Sequence, residues 1–126
     1  MPRHRRGWAS ITDNNLVMRH SPLTISLLEP VLLILLNEQP GHGYTLLGDL
    51  EVFGMGTIHP SVVYRTLREL EGLGWIQSDW NVETTQGPPR RNYHLTLLGQ
   101  DALRNWKLEL ERTNNLISKL IPRIIE

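Results

Sequence analysis

The chain reads as a mainly α fold with one small β-hairpin (α+β), and two stretches predict it. Residues 59–96 run as a Pro-started helix, HPSVVYRTLRELEGLG, followed by two strand-like segments, WIQSDW and NYHLT, with the turn TTQGPPRR between them. Residues 97–126 keep one helical periodicity throughout. A helix with polar side chains on one face, followed by a hairpin with a cationic tip, is the layout of a winged helix-turn-helix. In that layout one element enters a major groove and the other lies along the neighbouring backbone.

Length and composition agree with that class. At 126 residues and 40% hydrophobic, the sequence suits one domain with a modest core plus appendages. Thirteen basic residues balance thirteen acidic ones, which argues against a protein that coats nucleic acid non-specifically. The balance is uneven along the chain, however. Residues 23–58 hold four acids and no Lys or Arg, whereas residues 1–22 hold Arg3, Arg5, Arg6 and Arg19 against Asp13 alone. Cysteine is absent, which excludes disulfides, thiolate metal sites and a cysteine nucleophile. The longest apolar run, Val31–Leu36, falls far short of the ~20 residues that span a bilayer. The basic N-terminus leads into no signal-like apolar stretch, so the expected compartment is the cytoplasm, with no membrane partner.

Taken in order, residues 1–22 form a basic N-terminal arm, either a disordered tail or a segment that touches a DNA backbone or a second subunit through Trp8. Residues 23–98 form the winged helix-turn-helix. Leu23–Glu38 is almost continuously apolar and predicts a buried helix, with Pro30 marking a restart or a kink. NEQPG closes it, and Gly43 opens a second helix over Tyr44–Val52 with Leu46, Leu47 and Leu50 inward. FGMGTI is a turn. Pro60 suits a first helical position, with His59 as the N-cap. Val63, Leu67 and Leu70 then repeat at i, i+4, i+7 as a buried stripe, and Gly72 and Gly74 end the helix. Trp75–Trp80 and Tyr93–Thr96 pair as the hairpin, and Thr96 caps the last helix. Residues 99–126 are that C-terminal helix. Leu103, Trp106, Leu110, Thr113, Ile117, Leu120 and Ile124 follow one another at alternating steps of three and four, an a/d seam that needs a partner helix. A homodimer interface through Leu103, Trp106, Leu110, Thr113, Ile117 and Leu120 is therefore expected. Trp106 reads two ways: as a large residue of the seam, or as a stacking face for an aromatic effector between subunits.

Base readout needs donors and small polar groups near the start of a helix. Ser61, Tyr64, Arg65 and Arg68 occupy the first turns of the Pro60 helix, opposite its apolar stripe. An arginine there can bind guanine O6 and N7 bidentately, or it can be an ordinary solvated charge paired with Glu69 or Glu71. The turn Gly87-Pro88-Pro89-Arg90-Arg91 favours the first reading. Two prolines stiffen the tip, and Arg90 and Arg91 have few local acids to pair with, which leaves them for phosphates.

The strings HGYTLL, VYRTLRELEGLGWIQSDW and GPPRRNYHLTLLGQDAL resemble the PadR family of transcriptional regulators over about residues 27–110. Matching positions are His42, Gly43 and Tyr44; Val63 and Tyr64; Glu69, Leu70, Glu71, Gly74, Ile76 and Trp80; and Gly87, Pro89, Arg90, Arg91, Tyr93, Leu95, Thr96 and Gly99. Two positions depart from the family pattern: Arg65 stands where a proline follows the Leu-Tyr pair, and Pro88 stands where arginine is common. The resemblance implies a dimeric repressor of double-stranded DNA whose C-terminal helix joins the subunits. In some relatives that interface also lines a pocket for flat hydrophobic or phenolic effectors.

Catalytic and metal chemistry find no support in the sequence. His4, His20, His42, His59 and His94 lack ligand spacing, and Gly54-Met55-Gly56 lacks the residues of a phosphate loop. Asp49 and Glu51, two apart on a helix, do not face each other. The expectation is a sequence-specific DNA-binding regulator without cofactor or enzymatic activity. The alternative is a winged-helix module that binds protein and not DNA.

Overall fold

A computed structural model describes residues 20–81 and 90–125. The basic arm up to Arg19 and the wing tip 82–89, with Gly87, Pro88 and Pro89, lie outside the described residues. The element order is α1 (Pro22–Ser26), α2 (Leu28–Glu38), β1 (Gly41–His42), α3 (Gly43–Asp49), a 3-10 turn (Leu50–Phe53), α4 (Pro60–Gly72), β2 (Ile76–Asn81), β3 (Arg90–Leu95) and α5 (Leu97–Leu120), with a 3-10 turn at Ile121–Arg123.

The apolar run from Leu23 is two helices rather than one. The Ser21 hydroxyl oxygen accepts from the Thr24 N–H at 3.1 Å and starts α1, and the chain resets at Leu27. Pro30 then falls in the first turn of α2, where its missing N–H has no helical acceptor to lose, so it marks a restart and not a kink. Helix α2 is apolar nearly all round because it lies at the centre, touching α3, α4, β3 and α5. Its Leu28, Leu32 and Leu33 join Leu46, Leu50, Val63, Leu67, Leu70 and Ile76 in a core from which water is excluded.

Helix α4 closes in a Schellman motif. The Trp75 N–H reaches the Leu70 carbonyl at 3.1 Å, the Gly74 N–H reaches Glu71 at 3.0 Å, and Gly74 takes a φ of 79° that side-chain-bearing residues resist. The sheet is antiparallel and three-stranded, ordered β1-β3-β2. β2 and β3 pair from Ile76↔Leu95 to Asn81↔Arg90, and β1 adds Gly41↔Tyr93 and His42↔Asn92. The sequence predicted only the hairpin, because a two-residue strand carries no periodicity. β3 also begins at Arg90, earlier than expected. Arg90 and Arg91 are therefore ladder residues that continue the pairing, rather than part of an unpaired tip.

The Thr96 hydroxyl caps α5 by accepting from the Gly99 N–H at 3.0 Å, and it donates to the Gly74 carbonyl at 2.7 Å. One side chain thus ties the last helix to the end of α4. Gly99 lets α5 cross the start of β2 closely, since a Cβ there would lie 2.1 Å from the Trp75 carbonyl oxygen.

Candidate nucleic-acid interface

Helix α4 presents its polar side outward. His59 caps it: the Nδ1 atom accepts from the Ser61 N–H at 3.1 Å, and the Ser61 hydroxyl stands 2.8 Å from the same atom. Val63, Leu67 and Leu70 face the core, while Ser61, Arg65 and Arg68 are exposed and Tyr64 is half-buried. Tyr64 leans on the start of α3. A Cβ on Gly43 would fall 2.4 Å from its ring, so the tyrosine holds its place only because residue 43 has no side chain. Among the described residues, Arg65 and Arg68 make no ion pair with Glu69 or Glu71.

The wing residues share an opening with this helix. A hollow of about 540 Å³ is lined by His42, Gly43, Tyr44, Tyr64, Arg90, Arg91 and Tyr93. The structure thereby brings together Tyr64, Arg90 and Arg91 from two elements that the sequence separates by 26 residues or more. Arg68 lies close enough to act on the Tyr93 phenol. Burial raises that phenol above its ordinary value, the Glu71 carboxylate adds to the rise, and Arg91 and Arg68 oppose it. Four lining residues, His42, Gly43, Tyr44 and Tyr93, were not among the expected contacts, and two of them add polar groups. Tyr44, at 74% exposed, stands in the open, and the His42 Nδ1 atom is 3.3 Å from the Arg91 carbonyl oxygen, joining β1 to β3. The signal for both was their adjacency to Gly43.

Arg91 is less free than its sequence neighbourhood suggests. Its Nη1 donates to the Ser78 hydroxyl at 2.7 Å, and its guanidinium sits 4.6 Å from the centre of the Trp80 ring. Arg90 is exposed beside it.

The residues expected at a subunit seam divide along α5. Leu103 and Trp106 pack on the core of their own chain, and the Trp106 indole N–H donates to a Glu29 carboxylate oxygen at 2.6 Å. Leu110, Thr113 and Ile117 are half-buried, and Leu120 is exposed. Between α2 and α5 runs a groove of about 690 Å³ whose apolar lining includes Ile34, Leu103, Trp106 and Leu110. Among the described residues, no three His, Asp or Glu side chains stand together as metal ligands, and no helix is long and apolar enough to cross a membrane.

Comparison with curated proteins gives no match. The solved structures are more informative. A PadR family transcriptional regulator from Eggerthella lenta superposes with a TM-score of 0.73 at 24% identity, covering 94% of this chain and 99% of its own. A transcriptional regulator from Clostridium thermocellum gives 0.72 at 24% identity, covering 82% and 98%. A conserved protein of unknown function, described as a potential transcriptional factor, is 36% identical over 76% of this chain and 85% of its own, with a TM-score of 0.64. The family model of the PadR-like transcriptional regulators matches residues 31–105, the span that contains most of the core, α4 and the wing strands. The chain belongs to the PadR-like family of transcriptional regulators.

Proposed function

We propose that the protein is a sequence-specific regulator that binds double-stranded DNA as a homodimer in the cytoplasm, a repressor released by a flat hydrophobic or aromatic small molecule. The observation that carries the DNA reading is the hollow shared by Tyr64 of α4 and Arg90 and Arg91 of β3. One duplex laid there meets both elements. Ser61, Tyr64, Arg65 and Arg68 face the major groove, and Arg90 and Arg91 meet phosphates alongside. Dimerisation rests on the apolar residues beyond the body, Leu116 and Leu120 at the end of α5 and Ile121 and Ile124 just after it, each more than half exposed. Two subunits would then read half-sites about one helical turn apart. The effector reading rests on the groove beside Trp106.

The test is binding to a duplex selected from a random pool, measured as a function of salt. Arg90→Ala with Arg91→Ala weakens binding to every sequence and lowers the salt slope by about two units, at roughly 0.9 per phosphate contact. Arg68→Ala relaxes the base preference as well. A double variant that binds like the wild type removes the wing assignment. The zero net charge favours a second reading, a winged-helix module for protein association. Folded dimer that retards no duplex even at low salt would establish it instead.

A further inference from the structure

The polar contacts around Arg91 form a directed chain. The Arg91 Nη1 donates to the Ser78 hydroxyl oxygen at 2.7 Å, and the Ser78 hydroxyl donates its own proton to a Glu71 carboxylate oxygen at 2.8 Å. Three elements contribute: Glu71 comes from the last turn of α4, Ser78 from β2 and Arg91 from β3. Each group is used in its proper sense, since guanidinium only donates, carboxylate only accepts, and a hydroxyl does both. The guanidinium is held on a second side by the Trp80 ring, 4.6 Å from its centre, and its backbone is fixed by pairing with Trp80. An arginine has five N–H groups, and among the described residues only Nη1 has a hydrogen-bond partner, which leaves donors on Nη2 and Nε for a ligand.

Resting on the DNA reading above, we infer that Glu71 and Ser78 are positioning residues for the wing, holding the Arg91 guanidinium on Trp80 in the pose that meets a DNA phosphate. A free arginine on a strand end loses rotamer freedom when it binds, and one already ordered loses less. The arrangement also accounts for an acid beside a surface that faces a polyanion. Judged by charge alone, Glu71 should repel DNA. Through Ser78 it orients a cation instead, so the two effects have opposite signs and can be separated.

The experiment measures affinity of the full chain for a mixed-sequence duplex of about three helical turns, across a series of KCl concentrations. The proteins are the wild type, Glu71→Gln, Ser78→Ala, Ser78→Thr, Arg91→Ala and the Glu71→Gln/Arg91→Ala double variant. Side-chain Nε–Hε signals of arginine are recorded by NMR on the free proteins. Positioning predicts that Glu71→Gln and Ser78→Ala each weaken binding by about two- to tenfold, the range of one ordered side chain. Ser78→Thr, which keeps the hydroxyl, binds like the wild type. Glu71→Gln has no further effect once Arg91 is alanine, and the Arg91 Nε signal broadens or exchanges faster in both weakened variants. Tighter binding by Glu71→Gln, or an equal loss in the Arg91→Ala background, overturns the inference while leaving DNA binding in place. A folded wild type that fails to bind the duplex at low salt overturns the DNA reading itself, and with it the role assigned to the chain. Unchanged thermal midpoints separate positioning from simple loss of fold.

Discussion

The two halves of α5 carry the same spacing of apolar residues but meet different fates. Up to Trp106 the stripe packs in part on its own chain: Gly99 and Ala102 are buried, Leu103 rests half-buried on the core, and the indole is tied to Glu29. Beyond Thr113 the helix runs past the end of the body and stops at Leu120, so the expected seam position Ile124 is extended and off the helix; Leu116 and Leu120 on α5, and Ile121 and Ile124 after it, face outward. A seam of period 3.5 therefore does not say who covers it. Intramolecular packing takes the near half because α2 lies alongside. Among the described residues the far half has no such neighbour, and each aliphatic side chain left in water forgoes up to about 1.5–3 kcal/mol of burial.

The contrast is broken most severely at Ile117. Ile117→Asp should convert dimer into monomer, raising the dissociation constant about a hundredfold or more, because symmetry repeats a loss of about 1.5–3 kcal/mol on both subunits. Sedimentation velocity measures this, and a wild type that sediments as a monomer would sink the division between the halves. A change at the near half should act on stability instead. Gly99→Ala forces a methyl to 2.1 Å from the Trp75 carbonyl oxygen and 2.7 Å from Leu95, which should lower folding stability by about 1–3 kcal/mol. Denaturant titration would show the midpoint fall, while the molecules that remain folded still associate.

The smallest effect concerns pH and belongs to the body alone. The Tyr93 phenol is raised above 10.0 by burial and by Glu71, so the folded chain keeps a proton that the unfolded chain releases first. The stability from this source is complete below the unfolded value and declines as pH rises through the folded one. Tyr93→Phe should lose that part of the alkaline slope, with assembly unchanged. Equal slopes for the two proteins above pH 10 would show that burial of the phenol has no energetic consequence.

The candidate site was legible in part, and unevenly. The polar face of α4 followed from Val63, Leu67 and Leu70, since three inward residues on a helix fix the outward ones. The caps at His59 and Thr96 and the stop at Gly74 are local chemistry and were readable for the same reason. β1 was missed because two residues paired across the chain leave no local trace. The environment of Arg91 was misjudged on similar grounds: nearby sequence offers it few acids, yet Ser78 and Glu71 reach it from 13 and 20 positions away.

From the order of its residues alone, this chain settled its recognition-type helix, its hairpin and its long last helix, its buried stripe on α4, its family and the existence of an apolar seam near its end, because each depends on spacing within a few turns. Only the packed structure decided that Pro30 restarts a helix, that Tyr64 needs a bare Gly43, and that Arg91 is held by α4 through β2. The last two are contacts between distant segments, brought together by packing around α2, and no local pattern encodes them.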